Sequence, residues 1–289
     1  MRIASLIHNG RQSLGVVDDR GVRPIPDSAD MPKDLMDVLP ESEVLLERIS
    51  KSVADVPPLP LDDVTLLAPI PVPGKILAIG LNYRAHVEET GREVSPHQIW
   101  FNKQRTCITG PHNDIDKPVA SDMVDYEGEL VVVIGKRCRH VTAERAHEVI
   151  AGYMVGNDVS VRDWQRRTPT MQMGKSFDTH GPIGPWMVTA DEIEDPQNLT
   201  IKTSVNGEER QSSNTSSMIH SIREQIEHLT TAFTLEPGDL IFTGTPEGVG
   251  AAMDPPQFLK DGDVVRIEIG DVGAIENRVA NEVAKTIIG

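Results

Sequence analysis

Three carboxylates in this chain have the spacing of a hard-cation site. Asp125-Tyr126-Glu127-Gly128-Glu129 runs directly into the apolar stretch Leu130-Val131-Val132-Val133-Ile134. In an extended strand, side chains two apart project to one face, so Glu127 and Glu129 stand together. No cation neighbours them in sequence, and such a pair repels unless a proton or a metal lies between the two groups. Asp158 closes the run Gly152-Tyr153-Met154-Val155-Gly156-Asn157 and offers a third oxygen donor. Three carboxylates, with positions left open for water and substrate, suit Mg²⁺ or Mn²⁺. The plainer reading of a lone E-x-E is a pair of solvated glutamates on an edge strand.

Four further clusters carry reactive types. In Asn82-Tyr83-Arg84-Ala85-His86-Val87-Glu88-Glu89, a helix brings Glu89 beside His86. A carboxylate against an imidazole fixes its tautomer and raises its basicity, which builds a water-activating base; the alternative is an ordinary surface pair. Lys175, in Gly174-Lys175-Ser176-Phe177-Asp178, lies in a turn-rich loop that can aim its ammonium at an anionic substrate, or leave it solvated. Arg162, Gln165, Arg166 and Arg167 are the local basic and amide supply, able to clamp a carboxylate or to form one charged helix face. Thr243-Gly244-Thr245-Pro246 follows a strand candidate, and its glycine lets backbone N–H groups approach an anion while Thr245 adds a hydroxyl. There is no G-x-G-x-x-G, P-loop lysine, H-E-x-x-H or G-x-S-x-G, and Cys107 and Cys138 lack C-x-x-C spacing.

These residues must be positioned by strands rather than by a βα repeat. Ile76–Ile79, Glu129–Ile134, Leu199–Val205, Leu240–Thr243 and Val264–Ile269 read as strands, as do Met1–His8 and Ser13–Asp18 around the Asn9-Gly10 turn. Helical spacing marks Asp34–Val38, Glu41–Ile49, Ala143–Ala151 after Thr142, and Ile222–Phe233 after Ser221. Many strands and few helices exclude Rossmann and TIM-barrel plans and point to an α+β, mainly β chain. Prolines at 57, 58, 60, 69, 71 and 73 place a boundary near residue 70.

With 28 basic against 44 acidic residues over 289, the formal net charge is −16. That balance repels phosphate backbones and anionic lipid, so neither nucleic acid nor membrane is expected as a partner. No apolar run reaches the ~20 residues of a membrane span. The first residues are too short and strand-like for a signal peptide, and two cysteines suit a reducing cytoplasm.

From about residue 70 to its end the chain resembles the fumarylacetoacetate hydrolase family, in its acylpyruvase and 2-hydroxyhepta-2,4-diene-1,7-dioate isomerase-like branch. Tyr126-Glu127-Gly128-Glu129 with Asp158 is similar to that family's E-x-E…D metal triad, and Asn82-Tyr83…His86…Glu89 to its short lid helix. Lys175, then Arg162 and Gln165 in Val161-Arg162-Asp163-Trp164-Gln165, and Thr243-Gly244-Thr245-Pro246 match in the same order. The resemblance implies a mixed β-sandwich roll as catalytic domain over 71–289, a small amino-terminal α+β domain over 1–70, one Mg²⁺ or Mn²⁺ per subunit, and a homodimer. It assigns catalysis to His86, Glu89 and Lys175, metal binding to Glu127, Glu129 and Asp158, and substrate contacts to Tyr83, Arg162, Gln165, Gly244 and Thr245. The implied reaction is hydrolysis of a carbon–carbon bond in a 2,4-dioxo, acylpyruvate-like acid, releasing pyruvate or a related 2-oxo acid. Decarboxylation of an oxaloacetate-like acid, or isomerisation or tautomerisation of a 2-hydroxymuconate-type acid, would use the same site. A catalytically idle protein that binds a small acid is a further alternative. The sequence departs from the family pattern at Gln104, where Phe-x-Lys is usually followed by Pro, and at His220, usually apolar or aromatic.

Overall fold

The run Leu130-Val131-Val132-Val133-Ile134 is apolar at every position, which calls for a strand covered on both faces. In the computed structural model, which describes residues 1–39 and 43–288, strand Gly128–Ile134 is buried throughout. Leu130, Val132 and Ile134 enter one apolar core, while Val131 and Val133 enter another. Strand Ile150–Asn157 alternates in the same way, with Tyr153 and Val155 in the first core and Met154 in the second. The period-two pattern has therefore built a sheet with a separate core on each side.

That sheet is eleven-stranded, and its main path runs Gly21–Pro24, Arg11–Asp18, Arg2–His8, Gly181–Thr189, Ile150–Asn157, Gly128–Ile134, Leu240–Phe242, Ile76–Gly80, Ile99–Asn102. Neighbours on this path are antiparallel except Leu240–Phe242 beside Ile76–Gly80. A five-stranded sheet, in the order Glu208–Asn214, Thr200–Val205, Val264–Ile269, Gly273–Asn281, Ile115–Lys117, faces it and supplies Ile201, Ile267 and Ile275 to the first core. The described α-helices are α1 (Glu43–Val53), α2 (Arg84–Glu89), α3 (Arg162–Gln165) and α4 (Ile222–Ala232). Ile222, Ile226 and Leu229 of α4 pack into the first core, and Leu45, Ile49 and Val53 of α1 cover the second. The mainly β, sandwich-type architecture expected from the sequence is what the chain adopts. Among the described residues, no helix is long and apolar enough to cross a membrane.

Local differences have local causes. Residues Asp34–Val38 form a single 3-10 turn, Leu35–Asp37, tied off by a reciprocal cap between Asp34 and Asp37. The helix expected from Glu41 begins at Glu43 and continues to Val53; Glu41 and Ser42 lie outside the described residues. Ala143–Ala151 is not one helix but 3-10 turns over Ala143–Val149 followed by a strand from Ile150. Thr142 provides no side-chain cap there, and the Gly135 N–H draws the Val149 carbonyl into the sheet at 2.8 Å. Ser221 does cap α4, in a reciprocal box with Glu224.

Candidate active site

The acidic cluster is assembled by strand register. Gly128 pairs with Asn157 and Glu129 with Gly156 in the antiparallel ladder, so the next rung outward sets Asp158 opposite Glu127. The Asp158 N–H donates to the Glu127 carbonyl at 2.9 Å, and the Glu127 N–H to Asn157 Oδ1 at 3.0 Å. Carboxylate oxygens of Glu127, Glu129 and Asp158 all lie within 4.8 Å of one another, and all three residues are buried. The solvated edge-strand reading is thus overturned.

Cations reach this cluster from elsewhere in the chain. Lys175 Nζ donates to Glu127 Oε2 and Asp158 Oδ2, both at 2.7 Å, and Lys103 Nζ to Asp158 Oδ1 at 2.6 Å. Lys103 also donates to the Lys175 carbonyl, fixing that residue at both ends. Lys175 is delivered by the turn Gln172–Lys175, which lies directly on α3 because Gly174 has no side chain; a Cβ there would stand 2.2 Å from the Gln165 nitrogen. Arg162 bridges Asp125 Oδ2 at 2.8 Å and Glu127 Oε1 at 2.6 Å, and also bonds Gln165 Oε1 at 3.0 Å. Its Nη2 is buried with no hydrogen-bond partner among the described residues. Arg162 therefore does clamp carboxylates, but those of the protein itself.

Four buried carboxylates, at 125, 127, 129 and 158, face three buried cations, at 103, 162 and 175, leaving one negative charge in excess. It falls on Glu129, whose Oε2 accepts from the Gly244 N–H at 2.7 Å. Burial and the like charges of Asp158 and Glu127 hold the Glu129 carboxyl well above the usual range. Glu127 is buried too, yet Lys175 and Arg162 keep its carboxyl below that range. Three hard oxygen donors with one charge uncompensated fit a divalent cation, which would neutralise Glu129 where the ammonium groups do not. Glu127, Glu129 and Asp158 are the residues that would hold it.

The lid pair lies on α2. His86 Nδ1 bonds Glu89 Oε1 at 2.6 Å, and His86 is buried, so this is not a surface pair. Glu89 Oε2 accepts the Gly248 N–H at 2.8 Å, which marks Glu89 as the acceptor on both sides. The imidazole proton then sits on Nδ1 and leaves a lone pair on Nε2. Gly248 has φ +99°, and a Cβ there would meet the Arg210 carbonyl at 2.0 Å, so no side chain is accommodated. The Tyr126 hydroxyl donates to the Gly248 carbonyl at 2.9 Å, and Asp125 accepts from the Gly250 and Ala251 N–H groups at 2.8 and 2.9 Å.

His86, Glu89, Glu127, Arg162, Gln165, Lys175 and Thr245 line one cavity of about 830 Å³. Glu129 and Asp158 do not themselves line it, whereas Glu127 and Lys175, which bonds Asp158, do. The anion that the Gly244 N–H meets is Glu129, and Thr245 Oγ1 donates to the Gly128 carbonyl at 3.0 Å while accepting from Gln211 Nε2 at 2.8 Å. Tyr83 is fully buried; its hydroxyl has no partner among the described residues, and burial, then Glu129 and Glu247, push it above the usual phenol range. Lys103 and Asp125 were missed by the sequence reading, although each lies within a motif it singled out. The two family departures become intelligible. The Gln104 N–H donates to Ser176 Oγ at 3.1 Å, a bond proline cannot make. His220 is gripped by Asn82 through its backbone N–H and carbonyl, which leaves its side-chain type free.

The family model for the fumarylacetoacetate (FAA) hydrolase C-terminal region matches residues 75–280. A mitochondrial oxaloacetate tautomerase of Bos taurus is 42% identical over 268 residues, covering 92% of this chain and 84% of that protein. A fumarylacetoacetate hydrolase structure from psychrophilic Exiguobacterium antarcticum superposes with a TM-score of 0.86 at 34% identity, covering 98% of this chain and all (100%) of that one. A maleylpyruvate hydrolase from Sphingobium sp. SYK-6, solved in complex with manganese(II) and pyruvate, gives 0.81 at 33% identity, with 97% and 99% of the two chains covered.

Proposed function

The chain belongs to the fumarylacetoacetate hydrolase family, and on that premise we propose that it is a divalent-metal-dependent hydrolase of 2,4-dioxo acids, cleaving a carbon–carbon bond to release pyruvate or a related 2-oxo acid. The observation that carries this reading is the buried His86–Glu89 pair, which opens on the same cavity as Glu127 and Lys175. A cation held by Glu127, Glu129 and Asp158 would supply Lewis acidity toward the carboxylate and keto oxygens of a 2-oxo acid.

The residues of the chain do the rest. His86 Nε2 takes a proton from a water, and the resulting hydroxide oxygen attacks the 4-carbonyl carbon. The C3–C4 bond breaks; the attacking oxygen stays in the new carboxylate, and the bond's electron pair leaves as the enolate of pyruvate, to be protonated at C3. The Lys175 ammonium offsets charge as it develops on that enolate. Glu89 keeps the imidazole tautomer and orientation, while Arg162 holds Glu127 in place against the pull of Lys175.

Hydrolysis in ¹⁸O-labelled water tests this: the label is expected in the newly formed carboxylate. His86→Ala is expected to retain Mn²⁺ binding and lose about 10²–10⁴ in rate. A second reading, keto–enol tautomerisation or decarboxylation of an oxaloacetate-like acid, is favoured by the 42% identity to the oxaloacetate tautomerase. It needs no attacking water, so full activity in His86→Ala and unlabelled product would replace the first reading with the second.

A further inference from the structure

Where the large sheet passes the acidic cluster, its ladder has a gap. The strand Leu240–Phe242 pairs with Gly128–Ile134 only at Val131, Val132 and Val133. Thr243 still reaches across, its N–H donating to the Leu130 carbonyl at 3.1 Å. The next residue, Gly244, turns away with φ +97° and gives its N–H to the Glu129 carboxylate instead. The Gly128 N–H and carbonyl, between the two glutamates of the site, thereby lose a strand neighbour on that side. Gly128 is buried, so both groups must find partners elsewhere.

The partners come from the facing sheet and the loop together. Gln211, on strand Glu208–Asn214, is buried. Its Oε1 accepts the Gly128 N–H at 3.0 Å, and its Nε2 donates to Thr245 Oγ1 at 2.8 Å and to the Pro246 carbonyl at 2.9 Å. Thr245 Oγ1 in turn donates to the Gly128 carbonyl at 3.0 Å, which closes a ring of three hydrogen bonds through both main-chain groups of Gly128. The preceding N–H, that of Glu127, is likewise held by a side-chain amide, through Asn157 Oδ1. A primary amide joins an acceptor oxygen to two N–H donors in one neutral plane, and Gln211 uses all three. Being neutral, it adds no charge to a cluster already one negative charge in excess.

We propose that Gln211 is a positioning residue of the metal site. By tying Gly128 to the 243–246 loop across the gap in the ladder, it fixes Glu129 against the Gly244 N–H and so sets the aim of the Glu129 carboxylate. This rests on the reading that Glu127, Glu129 and Asp158 hold the cation, and adds what orients them. Gln211 does not line the cavity, so its effect passes through Gly128 and Thr245.

Calorimetric titration of the metal-free protein with Mn²⁺ tests this. Gln211→Met fills similar space but bonds none of the three partners, and is expected to bind Mn²⁺ about ten- to a hundredfold more weakly than wild type. Thr245→Val opens the ring from the loop side and should lose affinity by a similar factor, whereas Thr245→Ser keeps the hydroxyl and should stay within about threefold. Thr215→Val, further along the same segment, is the structural control. It removes buried bonds to the Leu199 N–H and the Pro196 carbonyl, and should lower the melting temperature while leaving Mn²⁺ affinity within about twofold. Wild-type affinity in Gln211→Met overturns the positioning role, and so does an equal loss in Thr215→Val. If Gln211→Met does not fold, the Thr245 pair decides, and equal affinities in Thr245→Val and Thr245→Ser overturn the role. A wild type that binds no Mn²⁺ overturns the metal site and this inference together.

Discussion

Glu129 is the least compensated charge of the site, since the neighbouring cations reach Glu127 and Asp158 instead. Glu129→Gln removes a buried like charge but keeps an oxygen to accept from Gly244. Without metal, the variant is expected to be more stable than wild type by roughly 1 kcal/mol in chemical denaturation, while its Mn²⁺ affinity falls about a hundredfold or more. A destabilised variant, or one with unchanged affinity, would remove Glu129 from the ligand set. The residues behind this prediction differed in how plainly they could be read. Glu127 and Glu129 show through strand alternation, and His86 and Glu89 through helical spacing. Lys103 and Asp125 do not, because their partners Asp158 and Arg162 lie 55 and 37 residues further along the chain. No local period encodes such a pair; it follows from which strands become neighbours.

At the scale of elements, α2 is joined to the Thr243–Gly250 loop by Glu89, and that loop is fastened in turn by Tyr126 and Asp125. Gly248→Ala forces a side chain onto the Arg210 carbonyl, so a loss of about 1–3 kcal/mol of stability is expected, together with a lower turnover number because the dyad's anchor moves. Unchanged turnover with intact stability would show that the loop does not position the lid. The segment carrying Lys175 is pinned by His180, whose Nε2 donates to the Asp116 carbonyl at 2.8 Å. Burial lowers this imidazole to about 4, against 6.5 when it is free. The unfolded chain therefore takes up a proton that the folded chain refuses. The resulting stability is complete above about pH 6.5 and falls by about 2 kcal/mol on reaching pH 5. Denaturation midpoints at pH 7 and pH 5 should differ less in His180→Gln, which keeps an N–H donor. Strand Val264–Ile269 was plain from alternation, and Gly128–Ile134 from its unbroken apolar run. Ala143–Ala151 was not, because its last residues are recruited by sheet pairing against their helical spacing.

For the molecule as a whole, the first seventy residues share structure with the rest. Arg2 and Ile3 pair with Val188 and Met187, and Leu35, Leu39, Leu45 and Ile49 share one core with Val131, Val133, Leu240 and Phe242. The division into 1–70 and 71–289 is a proposal about folding units, and residues 71–289 expressed alone provide its test. The fragment is expected to keep its strand content but to bind hydrophobic dye and melt well below the full chain, since fully burying each such side chain contributes about 1.5–3 kcal/mol. Overall architecture was legible because strands outnumber helices without alternating with them, whereas sharing a core across a proline-rich segment leaves no mark in composition. The rung that sets Asp158 across from Glu127 makes strand register a condition of chelation. A slip of one residue between those strands would turn one acid away from the others, so a chelated ion would recognise correct alignment and penalise the misaligned chain. Manganese added during refolding should then act as a proofreader, raising the yield of native protein without being needed once the ladder has closed.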